Sequence, residues 1–264
     1  MADYIITEKQ EKLLKEIWVA EGKFNIHPVV LFYRYLVDDV LQNKKKKILK
    51  LVRLFFKEEL GSNIDKWSDD AIEFYLSDIK NNETSSIGWN SLKGYPSFFK
   101  KPSTIVSLSY FLMKNLFKVY EFEGLEYVKN VDNPFYKFYF FDPEIQEFVG
   151  YLETRKSLLL PGKSMQVILS AVEKEYVGRG YGSRMYLCII NQVDYLMSDS
   201  TLYPDSLNMW VNYLPRKVNV WAATYELDSN SERKIVQLSP KNFVKSDNIE
   251  YLVASAVRTE PPKL

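Results

Sequence analysis

The stretch MQVILSAVEKEYVGRGYGSRMYLCII, residues 165–190, constrains the chain more than any other. It passes from β-branched and aliphatic residues, through glycines at 178, 180 and 182, into a run with helical apolar spacing. A strand that becomes a helix across such a loop must turn sharply, and residues without a Cβ reach φ angles closed to others. The loop is either a tight corner or a cradle that turns amide hydrogens, and the positive end of the next helix, toward an anion. Spacing excludes the two commonest phosphate loops. A Rossmann fingerprint needs G-x-G-x-x-G, a Walker loop needs Lys and then Ser or Thr after its last glycine, and here G-x-G-x-G is followed by Ser183 and Arg184.

The apolar pattern on either side sets the context. From Thr7 to about Phe117 the period is helical: EKQEKLLKEIWVAEG closes on glycine, HPVVLFYRYLVDDVLQ opens on proline, and KKKKILKLVRLFFKEEL puts Ile48, Leu51, Val52, Phe55 and Phe56 on one face. SDDAIEFYLSDIKN has Ser68 as its N-cap, residues 81–103 read as a linker, and 103–122 read as a helix that ends in a strand. Thereafter the period is two. Residues 135–142 and 147–156 form an expected hairpin, 165–176 a third strand, and the glycine loop leads to a helix over 183–193. A short strand at 194–201, a helix from Pro204, and strands at 218–227 and 249–258 complete the reading.

Composition narrows the function classes. Lys and Arg number 35 against 34 Asp and Glu, a net charge of +1, so no global field draws nucleic acid or an anionic membrane, and any anion site is local. With one cysteine, Cys188, and one histidine, His27, neither a disulfide framework nor a thiolate or zinc centre is expected. His27 reads as a loop residue at a helix start, Cys188 as a buried small hydrophobe, and Lys44 to Lys47 as a solvated helix face. MADYIITEKQEKLLKEIW is neither signal peptide nor membrane span, which points to a cytoplasmic protein or one packed into something assembled in the cytosol.

Val172, Glu175, Tyr176, Gly178, Gly180 and Gly182 stand in the register of V-x-P-E-Y-R-G-K-G-I-G. That segment resembles the pyrophosphate loop of the GNAT superfamily of acyl-CoA-dependent N-acyltransferases, and the likeness spans about residues 135–225. It implies an α+β fold: a helical N-terminal region, residues 1–100, then a GNAT-like domain, residues 101–264, with a mixed, mostly antiparallel sheet flanked by helices. It also implies acetyl-CoA or another acyl-CoA as cosubstrate, and no metal. The diphosphate would lie on Val177, Gly178, Arg179, Gly180, Tyr181, Gly182 and Ser183, with Arg184 adding charge. The pantetheine arm would lie in a gap beside the preceding strand at Leu169, Ala171 and Val172.

The same likeness exposes departures. Val177 stands where the family usually has Arg or Gln, and Trp210 stands where its acidic tyrosine usually stands. An indole N–H is no acid at neutral pH. Tyr213, Tyr203 or Ser206 could substitute, and Glu173 or Glu153 could serve as general base. Two functions follow from the resemblance: transfer of an acyl group to an amine, or a catalytically lapsed GNAT-like protein with a structural or interaction role, such as a bacteriophage virion component. The N-terminal helices would then hold a protein partner; neither a membrane span nor nucleic acid is expected.

Overall fold

Helices fill one compact unit, residues 1–120 with 141–149, and a sheet dominates the other, residues 121–140 with 150–264. The structure, a computed structural model, describes residues 27–81, 92, 95, 97–132, 134–199, 204–227, 233–240 and 251–259. The expected first helix and most of the expected linker lie outside these residues.

In the first unit, α1 (Pro28–Tyr35) opens on a proline whose fixed φ suits a first helical turn. His27 is its cap: the imidazole Nδ1 accepts the Val29 N–H at 3.1 Å. A π-helical turn, Leu36–Val40, carries the chain on into α2 (Leu41–Leu60), which Gly61 ends at φ 55°. Lys44 to Lys47 are exposed while Ile48, Val52 and Phe56 are buried, the amphipathic division expected of this segment. Ser68 caps α3 (Asp69–Lys80), its hydroxyl oxygen accepting from Ala71 N–H at 3.1 Å. With α4 (Pro102–Leu116) these helices enclose an aromatic core. Phe56 meets Phe99 at 4.6 Å between ring centroids, Trp67 stacks on Phe99 at 4.7 Å, and the Tyr75 hydroxyl donates to the Phe99 carbonyl at 3.0 Å.

The sheet has nine strands among the described residues: β1 (Val119–Phe122), β2 (Leu125–Asp132), β3 (Phe135–Asp142), β4 (Glu147–Lys156), β5 (Ser164–Val172), β6 (Tyr195–Met197), β7 (Asn219–Leu227), β8 (Arg233–Pro240) and β9 (Tyr251–Ser255). Their order is β1-β2-β3-β4-β5-β6-β9-β7-β8. β5 pairs with β6 in parallel, and α5 (Tyr181–Ile190) is the crossover such a pair needs. The fold is α+β, with the expected hairpin at 135–142 and 147–156. The expected strand over 165–176 is shorter: it stops at Val172, and Lys174–Tyr176 form a 3₁₀ turn. Strands β2 and β8 are additions. In β2 the buried residues Tyr127 and Val128 are adjacent, which breaks the alternation that marks a half-buried strand.

Gly150 on β4 sets how closely α5 lies on the sheet. A Cβ there would fall 2.3 Å from Met185 Sδ and 3.0 Å from the Ala171 carbonyl oxygen. Met185 is itself fully buried, so neither neighbour can withdraw freely.

The single imidazole gives a pH test. Burial lowers the His27 pKa from 6.5 to about 4, and its Nδ1 must stay unprotonated to accept the Val29 N–H. The unfolded chain takes up this proton first, so the stabilisation is complete above pH 6.5 and is lost as pH falls from 6.5 toward 4. The shift corresponds to on the order of 3 kcal/mol. Denaturant melts should show this slope in wild type and not in His27→Asn, which can still cap; equal slopes would mean another group carries it.

Candidate functional site

The site starts where β5 loses a neighbour. On one side β5 pairs with β4 from Lys156↔Met165 to Gly150↔Val172. On the other it pairs with β6 over three residues only, Ser164↔Tyr195 to Gln166↔Met197. Past Gln166 no strand covers that edge among the described residues. Burial follows: Ser164–Val167 are buried, while Ile168–Val172 are all half-exposed. The register against β4 shifts between Glu153 and Thr154, leaving Ile168 as the extra residue of a β-bulge where the edge opens.

β5 runs from this edge into the loop. Glu173 starts the 3₁₀ turn, its carbonyl accepting from Tyr176 N–H at 2.8 Å, and the Tyr176 carbonyl accepts from Arg179 N–H at 3.2 Å. Gly178 and Gly180 have φ of 82° and 83°, the left-handed region that glycine tolerates and other residues do not. Helix α5 begins at Tyr181, two residues before the expected start, and no side chain caps it. Among the described residues the amides of Gly178, Gly180, Gly182 and Ser183 have no acceptor, since the Ser183 hydroxyl donates to the Gly180 carbonyl at 2.8 Å. These amides, and the positive helix end, face whatever lies over the loop.

Gly182 differs from the other two glycines. Its φ is ordinary, and an added Cβ would meet Val172 Cγ2 at 3.6 Å and Met209 Sδ at 3.8 Å, ordinary contacts. Nothing within the protein requires glycine there, although glycine in a helix costs about 1 kcal/mol against alanine.

The remaining expected residues separate by sheet face. Leu169 pairs with Glu153, and Tyr151 donates a 2.5 Å hydrogen bond to Glu153, so these share one face with Ala171. Ser170 and Val172 lie on the other, the α5 face, with Gly182, Met209 and Trp210. Glu173, only 7% exposed, ends β5; burial raises its pKa above the ordinary 4.5, the Lys174 amide opposes this, and Glu175 adds to it. Val177 is exposed, as is Arg179, whose guanidinium lies over Tyr176 at 5.4 Å. Tyr181 is buried and carries Arg184 over its ring at 4.4 Å.

Trp210 and Tyr213 part company because Met209–Tyr213 forms a π-helical turn. More residues per turn send Leu214, rather than Tyr213, inward after Trp210. Trp210 and Leu214 are fully buried, and Tyr213 is 52% exposed on a cleft beside Gly180 and Ser183. The polar group that the site does bring to Trp210 is Tyr186, which sequence patterning hides inside an apolar helix face. Its ring meets the indole edge-on at 5.7 Å, and its hydroxyl is hydrogen-bonded with Ser170 on the open half of β5. Burial pushes Tyr186 up to about 12, with Ser170 opposing. Such a phenol is a weaker acid than a thiol near 8.5, so it can donate a hydrogen bond to a leaving thiolate but not its proton. Among the described residues no three His, Cys, Asp or Glu are grouped as a metal site would need, and no helix is long and apolar enough to cross a membrane.

No protein-family profile and no curated protein matches the chain. Solved structures do. A Bacteroides thetaiotaomicron protein assigned to the GNAT acetyltransferase family aligns at 11% identity and TM-score 0.29, over 47% of this chain and 64% of its own. A GNAT-family acetyltransferase of Staphylococcus aureus aligns at 13% and 0.26, over 47% and 69%. The ribosomal-protein-S18-alanine N-acetyltransferase of Escherichia coli aligns at 13% and 0.26, over 45% and 76%. The chain thus spans less than two thirds of the first of these, and at such scores the likeness decides nothing about its activity.

The three glycines should separate by stability. Gly182→Ala is expected to raise stability by up to about 1 kcal/mol through helix propensity, whereas Gly180→Ala, held at φ 83°, should lower it by about 1–2 kcal/mol. Thermal melts of the two variants check this; a loss at Gly182 would reveal a packing need that the contacts do not contain.

Proposed function

We propose that the chain binds an acyl-CoA along the open half of β5 and the glycine loop, and transfers the acyl group to an amine. The observation that carries this reading is the one-sided strand, Val167–Val172, running directly into a helix start with four unpartnered amides. An open strand edge offers alternating N–H and C=O groups, and a pantetheine arm, which holds two amides, can pair with it as an added strand would. The loop amides suit a diphosphate, and nothing in the protein lies within 4 Å of where a Cβ of Gly178 would stand.

The acyl-CoA supplies an activated thioester. The chain's residues then have separable tasks. Amides near Val172 hold the carbonyl oxygen as negative charge gathers there. As the amine nitrogen bonds to the carbonyl carbon and the carbon–sulfur bond breaks, Glu173 takes the nitrogen's proton, directly or through water. Its raised pKa suits it to this better than an ordinary carboxylate. Tyr186 and Ser170 offer hydrogen bonds, and the departing sulfur is reprotonated from water. Glu153, tied to Tyr151 on the other face, is the second candidate base.

A second reading has its own observation. Trp210, fully buried at the place of the family's acidic tyrosine, and exposed Val177 at the loop's first position fit a chain that keeps the fold and the ligand but not the transfer, and acts as an interaction protein.

Calorimetry with acetyl-CoA tests the binding. Wild type should bind, and Gly182→Leu, which fills the cradle without altering φ, should remain folded and lose at least about tenfold in affinity; absence of wild-type binding at millimolar ligand would end both versions. Where acceptor turnover is detected, kcat/KM should rise with pH through an ionisation above 4.5. Glu173→Gln should remove that limb and cost about 10²–10⁴-fold, with acetyl-CoA affinity unchanged. The same loss in Glu153→Gln instead would move the base to the opposite face.

A further inference from the structure

The helical unit carries a cleft of its own, about 680 Å³, along the outer side of α3. Ile72, Tyr75, Leu76 and Ile79 are buried, while Ala71, Phe74 and Asp78 stand on a separate stripe of the helix and floor the cleft. Trp67 and Tyr95 form its wall, and both are packed from behind. Trp67 stacks on buried Phe99 at 4.7 Å, its carbonyl accepts from Arg53 Nη2 at 3.0 Å, and Tyr95 meets buried Tyr75 edge-on at 5.3 Å. The Trp67 and Tyr95 ring centroids lie 6.3 Å apart. Phe74 is 68% exposed, and no other phenylalanine among the described residues is as exposed. Asp78 is the one acid among the described lining residues. Its Oδ2 accepts from the Tyr95 hydroxyl at 2.9 Å, and among the described residues its carboxylate has no other partner. Burial and Asp78 both raise the Tyr95 pKa, so the phenol keeps its proton and remains the donor. The lining's one cation, Lys66, donates to Asn63 Oδ1 at 3.2 Å.

We propose that this cleft binds an organic ammonium ion with an aromatic body, its charged head at Asp78 and Tyr95 and its ring against Trp67 and Phe74. Two kinds of attraction converge on that class. The second oxygen of Asp78 offers a charge-assisted hydrogen bond, and the faces of Tyr95 and Trp67 attract a cation within about 6 Å of their centroids. A metal ion fits poorly: one carboxylate among three aromatic side chains lacks the oxygen ligands that a hard cation needs. A neutral aromatic would fill the walls and leave the charge of Asp78 unanswered. The volume falls within the range of small-molecule sites, and walls already held by Phe99 and Tyr75 need no reordering when a ligand enters. Phe74 is then a contact residue, which accounts for a phenyl ring left in water on a helix that buries its other large apolar side chains. The cleft lies in the helical unit, so the inference stands apart from the reading of β5 and its loop.

Calorimetry on the full chain with 2-phenylethylamine and with 2-phenylethanol, alike in shape and different in charge, tests this. Wild type should bind the amine at least about tenfold more tightly than the alcohol. Asp78→Asn, whose amide oxygen can still accept from Tyr95, should bind the two alike, whereas Asp70→Asn, an exposed acid of α3 outside the cleft lining, should keep the preference. Phe74→Ser should weaken both ligands, and circular dichroism melts of the three variants check that the fold is intact. Equal wild-type affinity for the two probes, binding of neither at millimolar concentration, or a preference that survives in Asp78→Asn would each overturn the proposal. So would a concentration-dependent dimer in sedimentation velocity that Phe74→Ser dissolves, since the cleft would then belong to a second copy of this chain.

Discussion

Everything at the site depends on β5 being a strand in two halves. The first is clamped between β4 and β6 and buried; the second keeps β4 alone. The cause lies in β6, which is committed elsewhere as soon as it passes Met197. Ser198 N–H donates to the Leu252 carbonyl at 2.7 Å, and the Ser198 hydroxyl oxygen accepts from Leu252 N–H at 2.9 Å. A side chain thus stands in for a backbone acceptor and prolongs the hold of β9 on the end of β6 while β5 goes on. The bulge at Ile168 falls where the two strands separate, as a bulge should if it re-aims the strand. An edge exposed by such a device is an attractive template for any chain with amides to offer, and proteins seldom leave one so open without a use.

Much of this could be read from residues alone, and the parts that could not share a reason. Strands β3 and β4 match their expected limits because FYKFYFFD and EFVGYLETRK are short runs rich in aromatic and aliphatic residues separated by the turn residues PEIQ. The glycine loop was legible because positive φ leaves a chemical mark, and Gly178 and Gly180 carry it. The end of β5 was not, since VEKEY holds no glycine or proline to mark a stop and only the hydrogen bond from Tyr176 N–H to Glu173 reveals the turn. The π-helical turn at Met209–Tyr213 leaves no mark either. It nevertheless decides whether Tyr213 accompanies Trp210 or faces solvent. Nor could any spacing bring Tyr186 to Ser170, sixteen residues earlier and across a crossover, because that pairing exists only once α5 has docked at Gly150.

The site's proton chemistry follows from burial more than from charge. Of its two acidic groups with shifted pKa, Glu173 is raised, which makes it a stronger base, and Tyr186 is raised, which makes it a weaker acid. Both shifts come first from desolvation. The same dry surroundings that suit a carboxylate to receive a proton from an ammonium deprive the phenol of any power to give one to a thiolate. A tyrosine in place of Trp210 would be subject to the same penalty if it were as fully buried as the indole is. What the indole of Trp210 does supply is a rigid edge against which Tyr186 is fixed.

On the proposed reading, binding and transfer draw on different parts of the molecule. The open edge and the loop amides are features of the backbone, maintained by strand pairing, by two positive φ angles and by a helix start, and no side chain need be retained for them. Proton movement would depend on side chains, Glu173 and Tyr186 among them. A protein of this construction can lose transfer by few substitutions while its ligand site persists, since removing a side chain leaves the pairing of β4, β5 and β6 untouched. Gly182 bears on which state holds here. In a helix start that neither its φ nor its neighbours reserve for glycine, the residue sacrifices helix stability with no contact inside the protein that calls for it. On the proposed reading, that cost is offset by a ligand held at the loop.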